Sequence, residues 1–278
     1  MSSPLPSSRK LDHLRELIRA MGSVLVCYSG GTDSALVLAV AHEQLGDRAI
    51  GMTAVSPSLA PSEHEGAIGF ARSIGARHEL VESHEMDRAE YVRNEPDRCY
   101  HCKLELYDIA AAKRREWELA EIVNGANVED LGDYRPGLDA ARQAGVRSPL
   151  VEAGFAKADI RAAAQILGLV VWDKPAAACL ASRIPYGTQV TRDRLAQVAG
   201  FEADLRAAGF RQLRVRWHDT IARIEVQVSE LGRALELRES LVAAGKRHGF
   251  KYVTLDLAGY RVGSHNEVLT DRHLRVLE

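Results

Sequence analysis

Val24-Leu25-Val26-Cys27 is an unbroken apolar run that leads straight into Tyr28-Ser29-Gly30-Gly31-Thr32-Asp33-Ser34 and then into a stretch of helical apolar spacing. This junction restricts the fold more than composition does. A short run with no polar alternation is the signature of a strand buried on both faces. Two glycines let the backbone turn where a side chain would obstruct it. A helix beginning there aims its first N–H groups into the turn, which favours an anion. Strand, glycine turn and helix in this order predict a phosphate-type site at the edge of a parallel sheet.

The rest of the first half supports that frame. Residues 23–28, 49–55, 77–81 and 121–124 have strand character, and 33–45, 62–74 and 103–118 have helical spacing. The alternation predicts βαβ units and an α/β fold, with a parallel sheet covered on both faces. Composition changes around residues 182–187. Beyond it, a helix (192–208), two strands (212–217 and 221–228), a helix (231–248) and a strand (251–257) suggest a smaller α+β domain of ferredoxin-like kind. The expected division is a flexible polar tail over residues 1–15, a nucleotide-binding domain over 16–185 and the α+β domain over 186–278.

At the glycine turn, Ser29 and Ser34 add hydroxyl donors. Asp33 is out of place in a plain anion cradle, because it is itself negative. A magnesium ion bridging carboxylate and phosphate oxygens resolves the conflict. No Gly-Lys-Ser/Thr follows, so this is not a Walker loop, and the dinucleotide pattern G-x-G-x-x-G is absent. The bland alternative is a strand-to-helix turn with Asp33 as N-cap. The segment resembles the SGGxDS pyrophosphate loop of the PP-loop ATPases, and the resemblance implies that ATP is cleaved between its α and β phosphates. Gly30, Gly31, Thr32 and the residues around them would then hold ATP. Gly125, Asn127 and Asp130, after the fourth strand, fit a second nucleotide-facing loop, with Asp130 as a second magnesium ligand. A plain turn is the alternative there.

Four cysteines are present. Cys27 lies in the apolar run and reads as a buried, inert thiol. Cys99 and Cys102 form a CxxC in Arg98-Cys99-Tyr100-His101-Cys102-Lys103, ahead of a helix. Cys179 lies far downstream. Zinc would need a fourth ligand, and a thioredoxin-like redox pair would need another fold. Three thiolates suit a four-iron, four-sulfur (4Fe-4S) cluster with one iron open. Cys179 could also act as a sulfur nucleophile on an acyl-adenylate, with Arg183 as a cationic neighbour.

Over residues 22–265 the chain resembles the LarE family of sulfur transferases. The resemblance is carried by Tyr28 to Ser34, Arg98 to Lys103, Asp133-Tyr134-Arg135-Pro136-Gly137, the run from Cys179 to Gly187, and Arg214-Val215-Arg216. It implies a small-molecule substrate, pyridinium-3,5-biscarboxylic acid mononucleotide. A carboxylate of this substrate is adenylated and converted to a thiocarboxylate on the way to a nickel-pincer nucleotide. It also implies two sulfur sources. One is a sacrificial cysteine at the position of Cys179, left as dehydroalanine. The other is a sulfide on a cluster held by Cys99, Cys102 and Cys179, whose cysteine pattern this chain has.

Arg214 and Arg216 alternate along one strand and so share a face. Two guanidiniums there would clamp a phosphate, the alternative being a solvated strand face. Glu202 and Arg261 are weaker candidates near that site. Trp117, Trp172 and Trp217 read as packing residues, and His101, His218 and His265 as surface or hydrogen-bonded histidines.

The formal net charge of −2 gives no global field for nucleic acid. No apolar run approaches the roughly 20 residues that span a bilayer. The expectation is a cytoplasmic homo-oligomer that binds neither nucleic acid nor membrane. A cluster-dependent tRNA thiolase, a non-catalytic redox or iron sensor and an amidating synthetase are the competing readings. The last lacks a glutaminase domain and leaves the three cysteines unexplained.

Overall fold

The computed structural model describes residues 7–132, 136–175, 177–261 and 263–269. These fall into two compact units. The first comprises the chain through Ser56, Glu63–Glu85 and Cys99–Ala177, and the second Pro57–Ser62, Met86–Arg98 and Ala178 onward. The chain thus leaves the first unit after Ala177 rather than after residue 185, and two earlier segments join the second unit.

The first unit holds α1 (Ser7–Met21), β1 (Val24–Cys27), α2 (Thr32–Leu45), β2 (Ala49–Val55), most of α3 (Pro61–Ser73) and β3 (Arg77–Glu82). The short α4 (Ala89–Arg93) belongs to the second unit, and the chain returns in α5 (Arg98–Glu116). β4 (Glu121–Val123), α6 (Pro136–Gln143), α7 (Pro149–Glu152) and α8 (Lys157–Ile166) complete the first unit. Its sheet has the order β3-β2-β1-β4 with every pairing parallel, as the alternation predicts. Successive residues of β1 face opposite sides. Val24 and Val26 enter one apolar cluster with Leu14, Ile18, Leu36 and Ile160. Leu25 and Cys27 enter another with Tyr107, Ala110 and Ala140. Both faces are covered, which is why the strand carries no polar residue.

The expected tail over residues 1–15 is helical from Ser7 onward. Leu11, Leu14, Ile18 and Met21 recur at helical spacing and are all buried, so the polar residues between them form only the outer face. No helix among the described residues is long and apolar enough to cross a membrane.

The second unit contains α9 (Arg192–Ala207), β5 (Leu213–His218), β6 (Ile221–Val226), α10 (Leu231–Glu236), α11 (Arg238–Arg247) and β7 (Tyr252–Leu255). β5 and β6 form an antiparallel hairpin, and β7 lies parallel to β6. This corrects the ferredoxin-like expectation. The sheet has three strands in the order β5-β6-β7, and the first strand of a ferredoxin-like repeat is missing ahead of α9 among the described residues. Gly245 in α11 permits close helix–strand packing, since a Cβ there would lie 2.4 Å from Val253 Cγ2.

Candidate functional sites: a glycine turn and a buried arginine cluster

In the first unit the glycine turn is built by its own hydroxyls. Ser34 Oγ donates to the Gly31 carbonyl at 3.2 Å, accepts from Ser29 N at 3.2 Å, and lies 3.0 Å from Ser29 Oγ. Gly30 has φ +78°, and a Cβ on it would meet Ala67 Cβ at 3.1 Å, so both conformation and space require glycine. Gly31 is the N-cap of α2, and Asp33 lies inside the first turn, which removes the reading of Asp33 as an N-cap. The Thr32 hydroxyl donates to the Val171 carbonyl at 2.8 Å.

The loop after β4 packs on the same turn. A Cβ on Gly125 would lie 2.7 Å from Ser34 N, so only glycine lets the two backbones approach this closely. Asn127, fully buried, donates from Nδ2 to Asp33 Oδ2 at 3.0 Å and from its backbone N to Asp130 Oδ2 at 3.1 Å. Two carboxylates 97 positions apart in sequence are thereby joined through one residue, by its side-chain and its backbone amide. Magnesium takes one or two carboxylates together with phosphate oxygens and water, a donor set that Asp33 and Asp130 fit. Lys174, not singled out in the sequence, donates to the Gly30 carbonyl at 2.9 Å and pairs with Glu63 at 2.8 Å.

The cysteines are placed differently from expectation. Cys99 and Cys102 do not precede the helix. They sit in the first two turns of α5, three residues apart on one side, Cys99 exposed and Cys102 half-buried. Cys27 is buried, and burial pushes its thiol up to about 12, as its inert reading requires. Cys179 is exposed at the start of a short 3-10 turn, Leu180–Arg183, in the second unit. The thiol donor set suits an iron–sulfur cluster in chemistry. However, no group of three or more His, Cys, Asp or Glu side chains that could hold a metal is gathered among the described residues. Of the motif at 133–137, residues Asp133, Tyr134 and Arg135 lie outside the described residues. Gly137 does not, and a Cβ on it would lie 2.9 Å from Lys103 Cγ.

The second unit concentrates its arginines. Arg214 and Arg216 are buried, which excludes the solvated strand face. Arg216 makes two 2.9 Å bonds to Glu225 and donates to the Ser182 carbonyl at 2.9 Å and to Ser264 Oγ at 2.8 Å. Arg214 lies over the Tyr260 ring with its guanidinium carbon 5.0 Å from the centroid. Burial first, and Arg183 second, lower the pKa of Arg214 to about 10, which leaves it cationic near neutrality. Arg183 is bidentate on Glu202, at 2.7 and 3.1 Å, and donates to the carbonyls of Ala178 and Cys179 at 2.8 and 3.1 Å. Burial opposes ionisation of Glu202, but Arg183, Arg206 and the Val215 N–H outweigh it and hold the carboxyl below its usual range. Arg261 stands apart from this cluster, paired with Glu267 at the surface.

Asn94, with φ 60° and fully buried, was not expected in the site. Its Nδ2 donates to the carbonyls of Ile184, Pro185 and Thr188 at 3.2, 2.8 and 2.9 Å, and its Oδ1 accepts from Arg98. Arg98 also donates to the Ala181 carbonyl at 2.9 Å. Together these bonds fix the segment that follows Cys179. Trp217 is buried and packs as expected, whereas Trp172 is 40% exposed. His265 is half-buried against Tyr186, with ring centroids 4.2 Å apart.

No known family profile matches the chain. An uncharacterised protein of Synechocystis is 45% identical over 264 residues, covering 94% of this chain and 98% of its own length. The pyridinium-3,5-bisthiocarboxylic acid mononucleotide synthase of Lactiplantibacillus plantarum is 39% identical over 262 residues, covering 92% and 94%. An uncharacterised protein of Methanocaldococcus jannaschii is 26% identical over 238 residues, covering 86% and 90%.

Proposed function

Because the chain belongs to the LarE family, we propose that it is an ATP-dependent sulfurtransferase that turns a carboxylate of pyridinium-3,5-biscarboxylic acid mononucleotide into a thiocarboxylate. The observation that carries this reading is the phosphate turn joined through Asn127 to Asp33 and Asp130, in a chain so similar to a thiocarboxylate-forming synthase.

In the first stage a substrate carboxylate oxygen attacks the α-phosphorus of ATP. The bond to the bridging oxygen breaks, and pyrophosphate leaves. The N–H groups of the first turn of α2 and the hydroxyls of Ser29 and Ser34 face a leaving group that gains charge. Asp33 and Asp130 would hold a magnesium ion, which when bound would supply positive charge beside the phosphates. In the second stage sulfur attacks the acyl carbon, and AMP leaves with the former carboxylate oxygen. Arg214 and Arg216 hold the substrate phosphate, in the cluster that also buries Glu202 and Arg183. An anion fits there because Arg214 is buried near a second cation, and a phosphate relieves that repulsion.

The residues that would hold a 4Fe-4S cluster are Cys99, Cys102 and Cys179, and the sulfur would then be a sulfide that the cluster supplies. The support is the set of three thiols apart from buried Cys27, two of them exposed. When bound, such a cluster supplies an open iron that carries the sulfide. Arg183 and Arg98 keep the Cys179 segment in place through backbone carbonyls.

Asp33→Asn tests the first stage. With ATP and substrate, its pyrophosphate release falls by about 10² or more, since the metal's carboxylate is lost, while the melting temperature holds. Wild-type pyrophosphate release from this variant contradicts the assignment.

A further inference from the structure

Two separate bonds tie the phosphate turn to one short segment. The Thr32 hydroxyl donates to the Val171 carbonyl at 2.8 Å, and the Lys174 ammonium donates to the Gly30 carbonyl at 2.9 Å. The segment is itself anchored, because Leu169 and Val171 are buried in the core beside α2 and α8. Lys174 also pairs with Glu63 of α3 at 2.8 Å, both side chains being about four-fifths buried (21% and 19% exposed). No step proposed above uses this lysine.

The consequence follows from the peptide unit. In a planar trans peptide, the C=O and the following N–H point in opposite directions. A Gly30 carbonyl held by Lys174 therefore aims the Gly31 N–H away from Lys174. The flank of the turn next to α3 is filled, since a Cβ on Gly30 would stand 3.1 Å from Ala67 Cβ and 3.4 Å from the Glu63 carbonyl. The Gly31 N–H thus points to the flank left for an anion. Between two glycines, no side chain resists rotation of this peptide. Rotated, it would present a carbonyl oxygen to the phosphates in place of a donor.

We infer that Lys174 is a positioning residue of the phosphate turn, holding the Gly30–Gly31 peptide with its N–H toward the departing pyrophosphate. This rests on the ATP-cleaving reading above. Lys174 acts through the Gly30 carbonyl, so its loss weakens binding of pyrophosphate far more than binding of AMP, whose single phosphate lies on the other side of the cleaved bond.

The test titrates magnesium pyrophosphate and AMP separately into the wild type, Lys174→Met and Lys174→Arg by calorimetry, and measures kcat and KM for ATP. Lys174→Met weakens pyrophosphate binding about tenfold or more, the scale of one charge-assisted hydrogen bond. It changes AMP binding by less than about threefold, within the scatter of a neutral contact, and lowers kcat more than it raises KM. Lys174→Arg, which keeps a donor, restores pyrophosphate binding. The inference is overturned if Lys174→Met binds pyrophosphate as the wild type does, if both ligands weaken equally, or if Lys174→Arg is as defective as Lys174→Met. Should Lys174→Met not fold, Lys174→Arg and Lys174→Gln both retain a donor and must bind pyrophosphate. Loss in both overturns the inference. A wild type that binds neither ligand refutes the ATP-cleaving reading itself, and this inference with it.

Discussion

Arg183 faces Glu202 with two of its nitrogens and the carbonyls of Ala178 and Cys179 with a third. Its charge is met by a carboxylate, and its remaining donors hold backbone. Arg98, Arg216 and Asn94 likewise donate to backbone carbonyls and grip the chain from Ala181 to Thr188. His265 sits among these cations. Burial first, then Arg98, Arg216 and Arg183, push its pKa down to about 3. An unfolded histidine titrates near pH 6.5, so below that pH the unfolded chain binds a proton that the folded chain refuses. The contribution is intact above about pH 6.5 and is lost as pH falls toward the folded value. Urea unfolding between about pH 7 and pH 5 then shows a steeper loss of stability in the wild type than in His265→Gln, which has no proton to take up. Equal slopes would show that His265 does not titrate this way.

At the scale of elements, β1 and β2 were readable because each is a largely apolar run of the right length. β2 matches its expected range throughout, and β1 differs by one residue at each end. The first helix was not readable from composition, since the polar residues around Leu11 and Leu14 mask the stripe. If that stripe holds α1 onto the core, Leu14→Ala lowers unfolding free energy by about 2–5 kcal/mol, the usual range for a buried leucine. A urea midpoint unchanged from the wild type would mean that α1 is dispensable. The helix expected over 231–248 divides into α10 and α11 at Leu237. CxxC spacing did not reveal that both thiols lie inside α5, because cysteine pairs are equally at home in a loop.

For the molecule as a whole, local and distant features of the site differ in how well sequence revealed them. The phosphate turn is contiguous, so its glycines, serines and Asp33 could be read together. The pairing of Asp33 with Asn127 crosses 94 positions, and that of Lys174 with Gly30 crosses 144. No local pattern encodes such contacts, and only the folding of the sheet brings them together. Arg214 and Arg216 were found by strand alternation, but their burial and the carboxylate partner of Arg216, Glu225, were not. As proposed, the protein couples cleavage of ATP to replacement of a carboxylate oxygen by sulfur. The direct measurement is mass spectrometry of the products after anaerobic incubation with magnesium ATP, pyridinium-3,5-biscarboxylic acid mononucleotide and sulfide. The expected result is a thiocarboxylate product, with AMP and pyrophosphate each formed in equal amount to the oxygen replaced. Formation of ADP and phosphate, or a substrate that keeps all its oxygens while ATP is consumed, would contradict it.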